Sequence, residues 1–276
     1  MTVRRAPAKI NLYLRVVGRR PDGYHELDSL LLPLALADEV EVEVRAGRGV
    51  SCRCPGHEEL SGPANLAARA AEAFLAASNV EARVEITVTK RIWAAAGLGG
   101  GSSDAAAVLL ALVDAFGRPP DLLAIATALG ADVPYFLDPR PARARGIGER
   151  LEPVPGVGAL DLVLVNPGHP LPTAEVFREL GGAPSASWSP PARIAPDALR
   201  GLIHNDLAPP ARRLCPAIEA AEAALGRAPG VLEVGLSGSG PTLFGLCPDP
   251  RAARRAAEHM VETTGLLALV TTSLAA

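Results

Sequence analysis

The run Ala96-Gly97-Leu98-Gly99-Gly100-Gly101-Ser102-Ser103-Asp104-Ala105-Ala106 constrains this chain most, because four of the five positions from 97 to 101 are glycine and paired serines follow. Ahead of it, Val84-Glu85-Ile86-Thr87-Val88-Thr89 alternates with the period of a strand. Behind it, Ala105 to Phe116 is rich in helix formers with apolar residues on every face. The pattern predicts a strand, a tight loop and the start of a buried helix near residue 103. At such a start the first backbone N–H groups have no partners and the helix dipole is positive. Glycines there let the main chain approach an anion that a side chain would hold away. Ser102, Ser103 and Asp104 are N-cap residue types, and the hydroxyls also reach a phosphate oxygen or its magnesium. A triphosphate is the expected guest. A tight turn alone would account for one or two of these glycines, not four.

Two common nucleotide motifs fit less well. No Lys-Ser or Lys-Thr pair closes the loop as in a Walker A segment, and a dinucleotide fingerprint needs glycine where Ser102 stands. A dinucleotide site also wants an acidic strand end about 20 residues on, where Arg118-Pro119-Pro120-Asp121 reads instead as a turn into another helix.

With 276 residues, 49% of them hydrophobic and only 4% aromatic, the chain can bury a sizeable aliphatic core, and two domains are expected. A net charge of −3 leaves no strongly basic face for nucleic acid; the cluster Arg251, Arg254 and Arg255 reads as a solvated helix face. No apolar run approaches the ~18 residues of a membrane span, and Met1 to Pro7 contains no apolar signal core. A cytoplasmic protein without membrane or nucleic-acid partners is expected. Cys52 and Cys54 stand too close for an ordinary disulfide, while Cys215 and Cys247 are isolated, so all four are read as reduced thiols. Cys52, Cys54 and His57 lack the fourth ligand and the spacing of a structural zinc site, and no bound metal is expected there.

Of 27 lysines and arginines, only Lys9 and Lys90 are lysine. Lysine offers a compact charge on a thin stem where the arginine fork would not fit. Lys9 lies in a strand pattern, Pro7 to Leu14, in which Lys9 and Asn11 share one face and so point into one cleft. Farther on, Asp132 in Leu129-Gly130-Ala131-Asp132-Val133-Pro134-Tyr135-Phe136 sits between a helix end and an apolar segment. Alone it reads as an N-cap. Beside Lys9 it would instead orient and deprotonate an attacking hydroxyl, with the ammonium keeping it ionised and stabilising charge on the transferred group.

Five motifs occur in order from residue 6 to about residue 246: Pro7-Ala8-Lys9-Ile10-Asn11, Pro21-Asp22-Gly23-Tyr24-His25, the glycine loop with Asp104, Gly130-Ala131-Asp132-Val133-Pro134, and Leu236-Ser237-Gly238-Ser239-Gly240-Pro241. Together they resemble the GHMP kinase superfamily. The first two narrow the resemblance to the branch that phosphorylates a small-molecule acceptor, cytidine diphosphate methylerythritol, in non-mevalonate isoprenoid synthesis. The resemblance implies ATP and Mg2+ as cofactors and Lys9 and Asp132 as the catalytic pair. It places ATP on Trp93, Ala94, Ala95, Ala96, Gly97, Leu98, Gly99, Gly100, Gly101, Ser102 and Ser103, with Asn65 and Lys90 near the adenine. Tyr24 and Phe177 would stack on the faces of the cytosine, His25 would read its edge, and Asn11 and Thr173 would lie on the substrate side. Where the family usually has proline and glycine, this chain has Trp93 and Ala95. The tryptophan either lines the nucleotide pocket or packs on the core, and the alanine substitutes for glycine only if its φ is negative.

The implied fold is α+β in two domains: a ribosomal-S5-like ATP-binding domain over residues 1–155 and a ferredoxin-like α/β plait over 156–276, as a monomer or weak homodimer. The pattern of residues predicts strands at 3–17, 38–46, 84–89 and 160–165 and helices at 64–77, near 197–204 and at 216–225. A glycine-turned strand pair around 237–239 and a terminal helix and strand complete it. The proline-rich stretch 181–196 reads as a surface loop, and Ser237 to Gly240 as a hairpin turn or a neighbour of the phosphates.

Overall fold

The structure, a computed structural model, describes residues 1–181 and 201–275. They pack as two compact units whose ranges interleave along the chain. The first comprises Met1–Ala8, Leu36–Ala94 and Gly99–Pro139; the second comprises Lys9–Ala35, Ala95–Leu98 and Arg140–Ala276.

In the first unit, β4 (Arg83–Thr89) runs antiparallel to residues 39–45 of β2 (His25–Arg45) and parallel to β3 (Gly49–Arg53). The alternation in β4 puts Val84, Ile86 and Val88 on its buried face. The helices α1 (Leu66–Ser78) and α2 (Gly100–Phe116) pack on one another. Their contact faces are largely alanine, with Phe74 as the large fully buried side chain of α1; small residues let two helices approach closely. Two short helices follow, α3 (Leu122–Leu129) and α4 (Val133–Phe136), the latter packed on α2 with Pro134 in its first turn, where a missing N–H costs nothing.

In the second unit, β1 (Thr2–Arg19) from Lys9 onward lies between β2 and β8 (His204–Asn205), which pairs parallel with it at Tyr13 and Leu14. Residues 27–31 of β2 pair antiparallel with β5 (Ala142–Gly146), which pairs with β6 (Arg150–Pro153). A second, antiparallel sheet has the order β11 (Leu267–Thr272), β7 (Asp161–Asn166), β10 (Leu243–Cys247), β9 (Glu233–Leu236). Against it pack α7 (Pro216–Arg227) and α8 (Pro250–Thr264), which buries Ala252, Ala253, Ala256 and Met260. The shorter α5 (Thr173–Arg178) and α6 (Ala208–Leu214) complete the unit, and its core joins Leu14 and Val16 of β1 to Val163, Val165, Leu225 and Met260.

The strands expected at 3–17, 84–89 and 160–165 and the helices at 64–77 and 216–225 fall within two residues of β1, β4, β7, α1 and α7. The strand pair flanking the glycine turn and the terminal helix and strand also form, and all four cysteines are free and buried. Three expectations are corrected. The strand at 38–46 is only the end of β2, which begins at His25; the run Leu30 to Leu34 is buried throughout and contains Pro33, so it does not alternate. Helix α2 begins at Gly100 rather than 103, which moves both serines into its first turn. Of the helix near 197–204, residues 197–200 lie outside the described residues, while Gly201 and Leu202 form a turn and His204 a strand. The proline-rich loop likewise lies outside the described residues from 182 on. Among the described residues, no helix is long and apolar enough to cross a membrane.

Candidate active site

Helix α2 starts without a side-chain cap. Gly99 takes the N-cap position in the left-handed region at φ 72°, and the first intrahelical bond runs from Ser103 N to Gly99 O at 2.9 Å. The N–H groups of Gly100, Gly101 and Ser102 precede that bond and have no acceptor within the helix, so the loop presents donors and a positive dipole end together. Ser103 is buried, and its Oγ has no hydrogen-bond partner among the described residues. Ser102 lies beside the turn that carries Asp132, since a Cβ added at Gly130 would stand 3.9 Å from Ser102 Oγ.

Beneath this start lies a buried triad that the sequence did not reveal. Lys90 Nζ donates to Asp104 Oδ2 at 2.7 Å and to Asp38, while Asp38 Oδ1 accepts from the backbone N–H groups of Arg91 and Ile92 at 2.5 and 2.8 Å. A Cβ on Gly100 would stand 3.1 Å from Ile92 Cγ2 and 3.4 Å from Lys90 Nζ, so the glycine lets the helix start settle onto these two side chains. Burial pushes the Asp104 carboxyl up to about 7, with the Asp38 charge adding to the effect and the Lys90 ammonium opposing it. Burial works against the Lys90 ammonium, but its two carboxylates outweigh that and raise its pKa. The side chain of Lys90 is thus committed to Asp38 and Asp104. Asn65 is also occupied: its Oδ1 caps α1 by accepting from Ala67 N, and its Nδ2 donates to Leu60 O, both at 2.8 Å.

Asp132 stands at the N-cap position of α4, but its side chain makes no capping bond. Burial, with the Asp132 charge nearby, raises the pKa of Tyr135.

Ala95–Leu98 of the loop and the residues expected on the acceptor side belong to the second unit. Lys9, Asn11 and Ser29 are all buried. Lys9 Nζ donates to Asn11 Oδ1 at 2.7 Å, Asn11 Nδ2 to Ser29 Oγ at 2.8 Å, and Ser29 Oγ to the Tyr13 carbonyl at 2.7 Å. The backbone N–H of Lys9 donates to Leu98 O at 2.9 Å, which ties the strand to the glycine loop. Gly97, at φ 75°, lies against the Ser237 turn so closely that a Cβ would fall 2.3 Å from Ser237 O; Ser237 Oγ donates to Gly97 O at 2.9 Å. A Cβ on Gly238 would stand 3.4 Å from both Lys9 Nζ and Asn11 Oδ1. The segment Ser237 to Gly240 is therefore both a turn between β9 and β10 and one wall of the Lys9 cluster. Asn205 holds it there, donating from Nδ2 to the carbonyls of Leu236 and Gly238, each at 2.8 Å.

Thr173 and Ser239 share a hydrogen bond of 2.9 Å between their hydroxyls. Phe177 stacks on His25, ring centroids 5.1 Å apart and planes 22° from parallel, while Tyr24 is 61% exposed. Burial, aided by Arg19, lowers the pKa of His25 and favours its neutral ring. Along the loop, Trp93 is half-buried, Ala94 and Ala95 are exposed, and Ala96 and Leu98 are buried. Ala95 adopts φ 49°, so the negative φ expected of an alanine in place of glycine is not what the backbone takes.

Residues 65–138 match the family described as GHMP kinases N terminal domain, and residues 192–264 match GHMP kinases C terminal. Over 274 residues the chain is 46% identical to 4-diphosphocytidyl-2-C-methyl-D-erythritol kinase of Granulibacter bethesdensis, covering 95% of this chain and 90% of that one. Identity to the kinase of the same name from Anaeromyxobacter dehalogenans is 49% over 261 residues, 91% of this chain and 82% of the relative. The chain belongs to the 4-diphosphocytidyl-2-C-methyl-D-erythritol kinase family. A solved 4-(cytidine 5'-diphospho)-2C-methyl-D-erythritol kinase superposes with a TM-score of 0.84 at 41% identity, over the full length of both chains. Sequence reasoning missed Ser29, Asn205 and Asp38 of this kinase's candidate site. Their only signal is a polar residue in an otherwise apolar or short segment, and what each one touches depends on residues far along the chain.

Proposed function

We infer that this protein transfers the γ-phosphoryl group of ATP to the 2-hydroxyl of 4-diphosphocytidyl-2-C-methyl-D-erythritol, an isoprenoid-precursor kinase reaction in the cytoplasm. Identity near one half across almost the whole chain to kinases of that name carries the reading. The uncapped, glycine-lined start of α2 supports it by supplying donors for a triphosphate. In this reading the acceptor oxygen bonds to the γ-phosphorus as the bond to ADP breaks, and the hydroxyl proton passes to the Asp132 carboxylate. Asp132 is suited to that role because the turn that carries it lies beside Ser102 at the start of α2. Lys9 carries the positive charge that the transferring group needs. A loose transition state leaves little covalent work, so alignment and charge stabilisation supply most of the rate. The Ser103 hydroxyl, buried and without a partner among the described residues, fits a magnesium–phosphate ligand, with Ser102 beside it. Magnesium there would neutralise phosphate charge. His25 and Phe177 would hold the cytosine, the neutral imidazole reading its edge; Asn11 and Thr173 would face the sugar alcohol. No nucleic acid takes part, and the protein works as a monomer or weak homodimer.

The test is coupled ADP release with this acceptor beside homoserine, mevalonate and no acceptor. Turnover is expected with the cytidine-bearing acceptor alone. Asp132→Asn should lower kcat by about a thousandfold or more while leaving the Kd for ATP within about twofold. Turnover with another acceptor would overturn the substrate, and an active Asp132→Asn would overturn the base.

A further inference from the structure

We propose that Ser29 is a positioning residue for phosphoryl transfer, fixing the side-chain amide of Asn11 so that its oxygen faces the Lys9 ammonium. The polarity of the chain of hydrogen bonds leaves one arrangement. The Tyr13 carbonyl only accepts, so the single proton of Ser29 Oγ goes to it across 2.7 Å. The hydroxyl oxygen must then accept from its other neighbour, 2.8 Å away, which selects the NH2 end of the Asn11 amide. Its carbonyl end is thereby turned to Lys9 Nζ at 2.7 Å. An amide turned the other way would set NH2 against NH3+, donor against donor, and leave Ser29 Oγ without a proton to accept.

Burial makes the arrangement strict. Lys9, Asn11 and Ser29 are 4%, 6% and 2% exposed, and Gly238 closes against both Lys9 Nζ and Asn11 Oδ1, so water has little room to replace a lost partner. Ser29 reaches the ammonium only through Asn11. It sits on β2, in the register opposite Ala144 of β5, where a strand residue of this apolar run would ordinarily be aliphatic.

The inference rests on the assignment of Lys9 to the transferring phosphoryl group. The experiment compares kcat and both KM values for Ser29→Ala, Ser29→Cys, Ser29→Thr, Asn11→Ala, the double variant Ser29→Ala with Asn11→Ala, and Lys9→Met. Ser29→Ala is expected to lower kcat about tenfold with the KM for ATP changed less than about twofold. Cysteine, near in shape but a weak hydrogen-bonding group, should do the same if alanine impairs folding, and threonine should restore the rate. Once Asn11 is alanine, removing the Ser29 hydroxyl should have no further effect on kcat. Undiminished kcat in both Ser29→Ala and Ser29→Cys, or an equal loss with and without Asn11, overturns the proposal. An active Lys9→Met overturns the assignment of Lys9 itself; an inactive Lys9→Met beside a fully active Ser29→Ala overturns the positioning role alone.

Discussion

Ala95 holds a backbone conformation, φ 49°, that a residue with a Cβ pays roughly 1–2 kcal/mol to adopt. Glycine would relieve that strain but lose more entropy on folding, by about 0.4–1 kcal/mol. Ala95→Gly is therefore expected to stabilise by somewhat under about 1 kcal/mol, read from the urea midpoint. Asp104 makes the opposite kind of prediction, because its strain is electrostatic. Its carboxyl is raised to about 7 in the folded protein from an ordinary 3.8, so the unfolded chain loses this proton first as pH rises. Stability from this group is present at low pH and falls as pH climbs from about 4 to about 7. Asp104→Asn carries no proton to lose. Between pH 5 and pH 7 the wild type should therefore lose stability relative to the variant by on the order of 1 kcal/mol per pH unit, measured as the difference between their unfolding free energies. The sequence did not announce this site: Asp104 reads as a helix cap, and only Lys90 and Asp38, 14 and 66 residues away, make it a buried ion-pair member.

At the scale of elements, periodicity and turn chemistry carry most of what is legible. The alternation of β4 and the glycines after it lead to a strand, a loop and a helix start without a side-chain cap. The serines have the chemistry of caps and point to a later first residue for α2, whereas Gly99 in the left-handed region ends the loop earlier and supplies no side-chain cap. Long β2 was half-hidden for the converse reason: strands buried on both faces lose the alternation that reveals them. The aromatic pair is of a third kind, visible only once α5 is set beside the end of the β1–β2 turn. His25 lies on Phe177 with planes 22° apart, so an arriving pyrimidine would exchange one ring stack for another. Phe177→Ala should raise the KM for the cytidine-bearing acceptor about tenfold and leave the KM for ATP unchanged, a split that steady-state kinetics with each substrate varied in turn resolves.

At the scale of the whole molecule, the two units each draw on separated stretches of chain, an arrangement that no local pattern encodes. Leu14 and Val16, near the N-terminus, belong to the same core as Val163, Leu225 and Met260. A fragment of residues 140–276 lacks those two side chains and the strand beside β8. Expressed alone, it should fail to unfold cooperatively in urea as followed by circular dichroism, and a sharp transition would show that β1 is dispensable to this core. The glycine loop is divided in the same way, with Trp93 and Ala94 counted in the first unit, Ala95–Leu98 in the second, and Gly99 onward in the first again. Trp93, half-buried at its mouth, is one of two tryptophans in the sequence, the other being Trp188. Replacing Trp188 by phenylalanine leaves a single indole at the threshold of the glycine loop, an intrinsic optical gauge through which any ligand settling beside it is readable without dye or label.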